Sequence, residues 1–258
     1  MTSIQAPEEI EITSISKLLD DMAARFSAEE LLWYRGHARS HWTLEPSLVR
    51  KGGLSAEKSL LDEFKRDAIP LLSRADLSGE PMTEWDWVFV MQHYQIPTRL
   101  MDWSESPLIA LFFALDDAMV DEEQGPAALW VLKPKKMNEA ARITTDYSWQ
   151  VPLCDVDDVD VNKYLPSQLG RGNRELEPLA VAGTRRFDRI RAQLGVFTVV
   201  HRNPKPLELE VPQALTKYII LNENKSIIRE ELHRLGFHAA AMYPDLEHLG
   251  RRIAGRLS

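Results

Sequence analysis

Two segments of this chain hold more polar side chains suited to specific chemistry than packing alone requires. The first is Trp33-Tyr34-Arg35-Gly36-His37. Arg35 closes an apolar run, where a cation is costly unless it is paired or faces a cleft. Its guanidinium suits planar, two-pronged contact with phosphate or carboxylate, and the adjacent glycine would let a ligand approach the backbone. The alternative is an internal acid that pairs with Arg35 and fixes the turn. The second segment runs from Met91 to Ser104. Gln92, His93 and Tyr94 fall at a helix end, Pro97 forces an extended chain, and Thr98, Arg99 and Asp102 follow closely. His93 is a candidate general base or ligand contact, with a hydrogen-bonded structural histidine as the alternative. Arg99 and Asp102 are either ligand contacts or a buried ion pair.

Other reactive patterns are weaker. No glycine-rich loop ending in Gly-Lys-Ser/Thr, no Gly-x-Ser-x-Gly elbow and no His-Glu-x-x-His is present. Cys154 is the sole cysteine, so an internal disulfide and a multi-cysteine metal site are excluded, and no metal is expected. Arg185, Arg186, Arg189 and Arg191 form a basic cluster, interrupted by Asp188, that reads as an exposed helix face or a phosphate contact.

These segments need elements to hold them. Ser14 to Arg25 is spaced for a helix with Ile15, Leu18, Leu19 and Met22 on one face. Leu31 to Arg35 reads as a short buried strand that Gly36 ends in a tight turn. Trp42, Leu44, Pro46 and Leu48 anchor the loop that follows. Helices are expected over Ala56 to Leu72, Thr83 to Tyr94 and Pro107 to Ala118, the last capped by Ser104 or Ser106. Strands are expected over Ala128 to Leu132, Val196 to His201, Lys217 to Leu221 and His238 to Met242. The acidic run Asp155 to Val161 reads as a solvated loop or edge. Lys225 to Leu235 is a helix with Ile227, Ile228, Leu232 and Leu235 inward, ended by Gly236, and Asp245 caps a last helix. Helices come first and strands later, so the fold class is α+β, a single domain with N-terminal helices packed on a mixed or antiparallel sheet. Residues 1–30 form a helical lead-in and residues 31–258 the domain.

Composition sets the class. Apolar residues make up 44 % and charged residues 27 %, which suits a folded core and argues against disorder throughout. The net charge of −8 gives no bulk attraction to nucleic acid, which leaves a nucleic-acid partner open only through a local patch. The longest strongly apolar run, Leu108 to Leu115, is too short for a bilayer, and Met1 to Asp20 has no basic start with an apolar core. A cytoplasmic protein with no membrane partner is expected.

Tyr34-Arg35-Gly36, Gln92-His93-Tyr94, Pro97-Thr98-Arg99-Leu100, Asp102-Trp103 and Pro107-Leu108 with Ala110 to Ala114 together resemble the FRG domain, named for its aromatic-Arg-Gly motif. The likeness continues more loosely through Arg191 to Phe197 and Phe237 to Leu246. The family's usual glycine after His-Tyr is Gln95 here. A second likeness, in placement, is to ADP-ribosyltransferases of the Arg-Ser-Glu type, in which an aromatic-Arg-Gly arginine holds the NAD phosphates. It implies NAD as cofactor, Arg35 on the diphosphate and Tyr34 or Tyr94 stacked on nicotinamide. Ser104 or Thr98 would then meet the ribose, and Asp102 or Gln193 would lie near the reacting carbon. Gln193 is an amide where that family has a glutamate, and Glu208 and Glu210, spaced for one face of a strand, stand further on. Three readings stay open: an ADP-ribosyltransferase-like enzyme; a module that binds a nucleotide or phospho-ligand without turnover, as a sensor or effector in bacterial defence would; and a nucleic-acid-directed protein.

Overall fold

The computed structural model describes residues 6–72, 81–116, 125–143, 151–154, 158–171, 174–183, 188–243, 246, 250 and 253–254. In chain order the elements are β1 (Glu8–Glu11), α1 (Ile15–Arg25), β2 (Trp33–His37), α2 (Ser47–Arg50), α3 (Glu57–Ala68), α4 (Glu84–His93), β3 (Leu100–Ser104) and α5 (Pro107–Leu115). They continue with β4 (Ala127–Leu132), α6 (Pro134–Ala140), α7 (Val159–Asn162), β5 (Leu179–Val181), α8 (Asp188–Ala192), β6 (Gly195–Val199), α9 (Leu207–Glu210), β7 (Leu215–Ile220), α10 (Asn222–Arg234) and α11 (Ala239–Met242).

Among the described residues the strands form one mixed sheet in the order β1-β7-β4-β2-β3-β6-β5. Among these described strands β1 pairs parallel with β7 and the other pairs are antiparallel. The class is therefore α+β. The strands do not wait for the second half of the chain, since β1, β2 and β3 interleave with the early helices.

Side chains alternate across the strands, so each face collects its own apolar set. One face carries two cores. Under β7, β4 and β2, helices α1, α5 and α10 bury Leu18, Leu111, Ile228 and Leu232 against Tyr34, Leu129, Val131 and Tyr218. Under β3, β6 and β5, helices α3 and α4 bury Leu61, Trp85 and Phe89 against Leu100, Leu179, Phe197 and Val199. The opposite face gathers Trp33, Trp103, Trp130, Met101 and Leu132 under Leu44, Met137 and Leu207. Each fully buried side chain of this kind contributes roughly 1.5–3 kcal/mol.

Caps set the helix ends. Ser14 accepts from Lys17 N at 3.1 Å, Thr83 and Asp86 form a reciprocal capping box, and Ser106 is the cap of α5. Helix α10 ends in a Schellman turn: Gly236 adopts φ 88° and Phe237 N donates to Leu232 O.

Several local expectations are overturned. Gly36 sits inside β2 with Leu129 opposite it, so it ends nothing. Ala239–Met242 form a short helix, capped by His238, where a strand was expected over His238 to Met242. Glu208 and Glu210 lie on the short helix α9, so no strand face presents them together. The acidic run holds a helical turn, α7, with Asp158 as its cap. Leu19, Ile227 and Leu235 face solvent. Asp245 and the cluster residues Arg185 and Arg186 lie outside the described residues.

Candidate functional site

Strand β2 pairs with β4 through all five of its residues but with β3 at Tyr34 and Ser104 alone. Beyond that pair the two strands separate, at the boundary between the two cores of the same face. A cleft of about 960 Å³ opens there.

Arg35 spans the opening. Its Nη1 donates to the carbonyl of Asp102 on β3, and its Nε donates to His37 Nε2 at 3.1 Å. Among the described residues nothing accepts from Nη2. Burial lowers the guanidinium's pKa, Asp102 opposes that shift, and Arg50 adds to it. Arginine stays charged nonetheless, because its ordinary value lies so far above neutrality. Residues two apart on a strand share a face, so His37 stands beside Arg35. Burial first, and the Arg35 cation second, push the His37 imidazole down to about 3. A neutral imidazole is the form that can accept from Arg35.

Across the gap, the buried Thr98 hydroxyl donates to Gln92 Oε1. That fixes the amide so that Gln92 Nε2 donates to Asp102 Oδ2 at 2.8 Å. Asp102 is exposed, and it is the only carboxylate-bearing residue among the described residues lining the cleft. Thr98 thus acts behind Gln92 and lines no part of the cleft itself. Ser104 lines the cleft with a hydroxyl already engaged twice: it donates to Gln193 O at 2.8 Å and accepts from Ser106 N at 3.1 Å. Gln193 precedes β6 in a tight turn, and its Nε2 donates to Met242 O at 3.1 Å. His93 lines the cleft at the end of α4.

The structure therefore brings Tyr34, Arg35, Gly36, Gln92, His93, Asp102, Ser104 and Gln193 to one cleft. Three other candidates stand apart from it. Tyr94 is 57 % exposed and touches His93 edge-on, with ring centroids 4.9 Å apart. Arg99 is buried and committed elsewhere: Nε donates to Glu57 at 2.5 Å, Nη1 to Val200 O at 2.7 Å and Nη2 to Tyr164 O. The ion pair considered between Arg99 and Asp102 is replaced by one with Glu57, a residue whose sequence context reads as an ordinary helix start. Thr98, as noted, is buried behind Gln92.

Gly36 has a different reason from the one its sequence suggested. A Cβ there would stand 2.0 Å from Ala110 O and 2.5 Å from Ala114 N, so the glycine exists to seat α5 on β2. Gln95, at φ 61°, holds the left-handed position that closes α4, where Ile96 N donates to Met91 O at 2.9 Å. Glycine adopts that backbone more readily than glutamine.

Residues not expected at the cleft also line it, namely His41, Arg50, Phe113 and Tyr243, and Trp42, expected as an anchor, is 41 % exposed at it. Phe113 and Tyr243 meet edge-on at 6.0 Å. The i, i+2 spacing of Arg35 and His37 was the one available signal; the others come from loops and distant elements. Elsewhere, burial raises the Cys154 thiol well above its usual range, which makes it inert. Among the described residues no group of three His, Cys, Asp or Glu side chains gathers as a metal site needs, and no helix is long and apolar enough to cross a membrane.

No curated protein and no solved structure matches the chain. The family model of the FRG domain matches residues 30–123. That span runs from β2 through α5 and supplies Arg35, Gln92, His93, Asp102 and Ser104 to the cleft. The chain carries an FRG domain.

Proposed function

We propose that the cleft binds a nucleotide through its phosphates, with NAD the first ligand to test. The observation that carries this reading is Arg35, fixed at the opening of the sheet by His37 and the Asp102 carbonyl. Its outer nitrogen is left without a partner among the described residues. Such a pre-oriented guanidinium suits a phosphate oxygen. The cleft's volume lies within the range of small-molecule sites, and Trp42, Phe113 and Tyr243 offer ring surface to a base.

Asp102 favours a second reading, transfer of ADP-ribose from NAD. In that reaction the bond from ribose C1′ to nicotinamide breaks, and the electron pair leaves with nicotinamide. An acceptor nucleophile then bonds to C1′ and gives up its proton. Positive charge develops on the ribose in between, and a carboxylate facing the cleft would stabilise it. Asp102 is such a carboxylate, held by Gln92. Gln193 would then be a spectator, its amide being bonded to Met242 O.

The test is thermal unfolding with and without millimolar NAD, ADP-ribose and ATP, repeated on Arg35→Met. A ligand at a hundred times its Kd stabilises by about 2.7 kcal/mol, or roughly 5–11 °C in a chain of this size. A shift in the wild type that the variant loses supports the reading. No shift with any nucleotide refutes it. Release of nicotinamide from NAD, abolished in Asp102→Asn, would separate transfer from binding.

A further inference from the structure

Arg50 is a cation of the cleft that neither the motifs nor the proposed site uses. It ends α2, and its Nη1 donates to Glu45 O at 2.7 Å. The loop that carries it is pinned on two sides. Leu44 N donates to the Glu208 carboxylate at 3.0 Å, and Leu48 N donates to Thr98 O at 3.3 Å. Arg50 is exposed, so its head group remains open to the cleft it lines beside Arg35, His37 and Trp42.

Two guanidiniums in one cleft repel each other unless an anion lies between them, and the Arg50 charge adds to the lowering of the Arg35 pKa. Asp102 can balance one of them. It is already bonded to Gln92 and stands nearest Arg35, whose carbonyl contact it supplies. His37 is neutral and adds no charge. The described lining therefore has one cation more than its carboxylates can balance, and that cation sits on the wall formed by the loop after β2.

We propose that Arg35 and Arg50 hold successive phosphates of one ligand, so that the site selects nucleoside diphosphates and their esters over monophosphates. The inference rests on the nucleotide reading above and adds to it the number of phosphates and the residue that counts them. Each guanidinium would give charge-assisted hydrogen bonds to its own phosphate. A monophosphate satisfies one arginine and leaves the other facing unbalanced positive charge.

The experiment is calorimetric titration of AMP, ADP and ADP-ribose into the wild type, Arg50→Met and Arg35→Met, with the thermal stability of each variant measured alongside. Arg50 is exposed, so Arg50→Met should fold like the wild type. The expected result is that ADP and ADP-ribose bind at least about tenfold more tightly than AMP. Arg50→Met should erase that preference while AMP binding stays within about twofold, and Arg35→Met should weaken all three. Binding that needs Arg35, with the diphosphate preference absent or intact in Arg50→Met, overturns this inference and leaves the nucleotide reading standing. Failure of all three ligands to bind the wild type overturns both.

Discussion

Replacing Gly36 by alanine separates a packing glycine from a ligand-access glycine. The added Cβ would lie 2.0 Å from Ala110 O and 2.5 Å from Ala114 N, short of ordinary contact at 3.4 Å by 1.4 Å and 0.9 Å. Both atoms belong to the backbone of α5, so no rotamer change relieves the clash, and the helix must move as a body. That movement would lift Ala110, Leu111, Ala114 and Leu115, all nearly fully buried, from β2 and β4. Overpacking of a tight core costs about 1–3 kcal/mol and occasionally more, and a clash with backbone belongs at the upper end. We expect Gly36→Ala to lose about 3 kcal/mol, a fall in Tm of roughly 6–12 °C, measured by thermal and urea unfolding. Adding Ala114→Gly should recover little, because it removes a methyl 3.0 Å away and leaves the Ala110 carbonyl in place. Gly36→Ala within about 1 kcal/mol of the wild type, or full recovery in the double variant, would refute the reasoning. Unchanged stability with lost nucleotide binding would restore the glycine's role in admitting a ligand.

Glu57→Gln should cost about 3–5 kcal/mol in urea unfolding, since it strands the buried Arg99 guanidinium. The double variant Glu57→Leu with Arg99→Met should regain only part of that, because the carbonyls of Val200 and Tyr164 lose their donor; additive losses would contradict the pairing. Gln95→Gly should stabilise by up to about 1 kcal/mol and Gln95→Val should destabilise by at least as much, given φ 61°; the reverse order of melting temperatures would argue against a left-handed residue there. His37 and His201 are held neutral, at about 3 and about 4, largely by burial. Between the ordinary histidine value and those figures the unfolded chain binds protons that the folded one refuses. Stability should therefore fall as pH drops from about 6.5 towards 3–4, and His37→Gln should flatten that slope; an unchanged slope in Tm against pH would show that His37 is not depressed.

Sequence alone determined much of the frame. Periodicity located α1, α3 and α10, because apolar residues on one helical face betray themselves at three- and four-residue intervals, whereas α4 and α5, apolar on most sides, were marked by composition and by the Ser-Pro start of α5. Cap residues such as Ser14 and Ser106 marked helix starts to within a residue or two. The aromatic-Arg-Gly and Gln-His-Tyr to Asp-Trp motifs named the family and led to most of the cleft. Periodicity could not choose between neighbours such as Leu18 and Leu19 or Ile227 and Ile228, which stand about 100° apart on a helix, within reach of the same stripe. The position of the neighbouring sheet and helices put Leu18 and Ile228 inside and left the others exposed. Strand β1 was illegible because Glu8 to Glu11 is mostly charged; the backbone ladder with β7 holds it, together with the pairing of Glu9 with Lys217 and the packing of Ile10, partners that no local pattern shows.

The division of labour between the two arginines was likewise a matter of tertiary structure. Arg35 and Arg99 look alike in sequence, each an arginine beside apolar residues, yet only folding brings Glu57 to Arg99 and an open gap between strands to Arg35. Gly36 carried the same ambiguity, since the helix it accommodates lies about seventy residues further along the chain. Arg50, Phe113 and Tyr243 reach the cleft from separate elements, and no local pattern records where a distant element will pack. Local sequence fixes what a segment can form; which cations are spent on the core and which remain for a ligand depends on long-range contacts that only the folded chain makes.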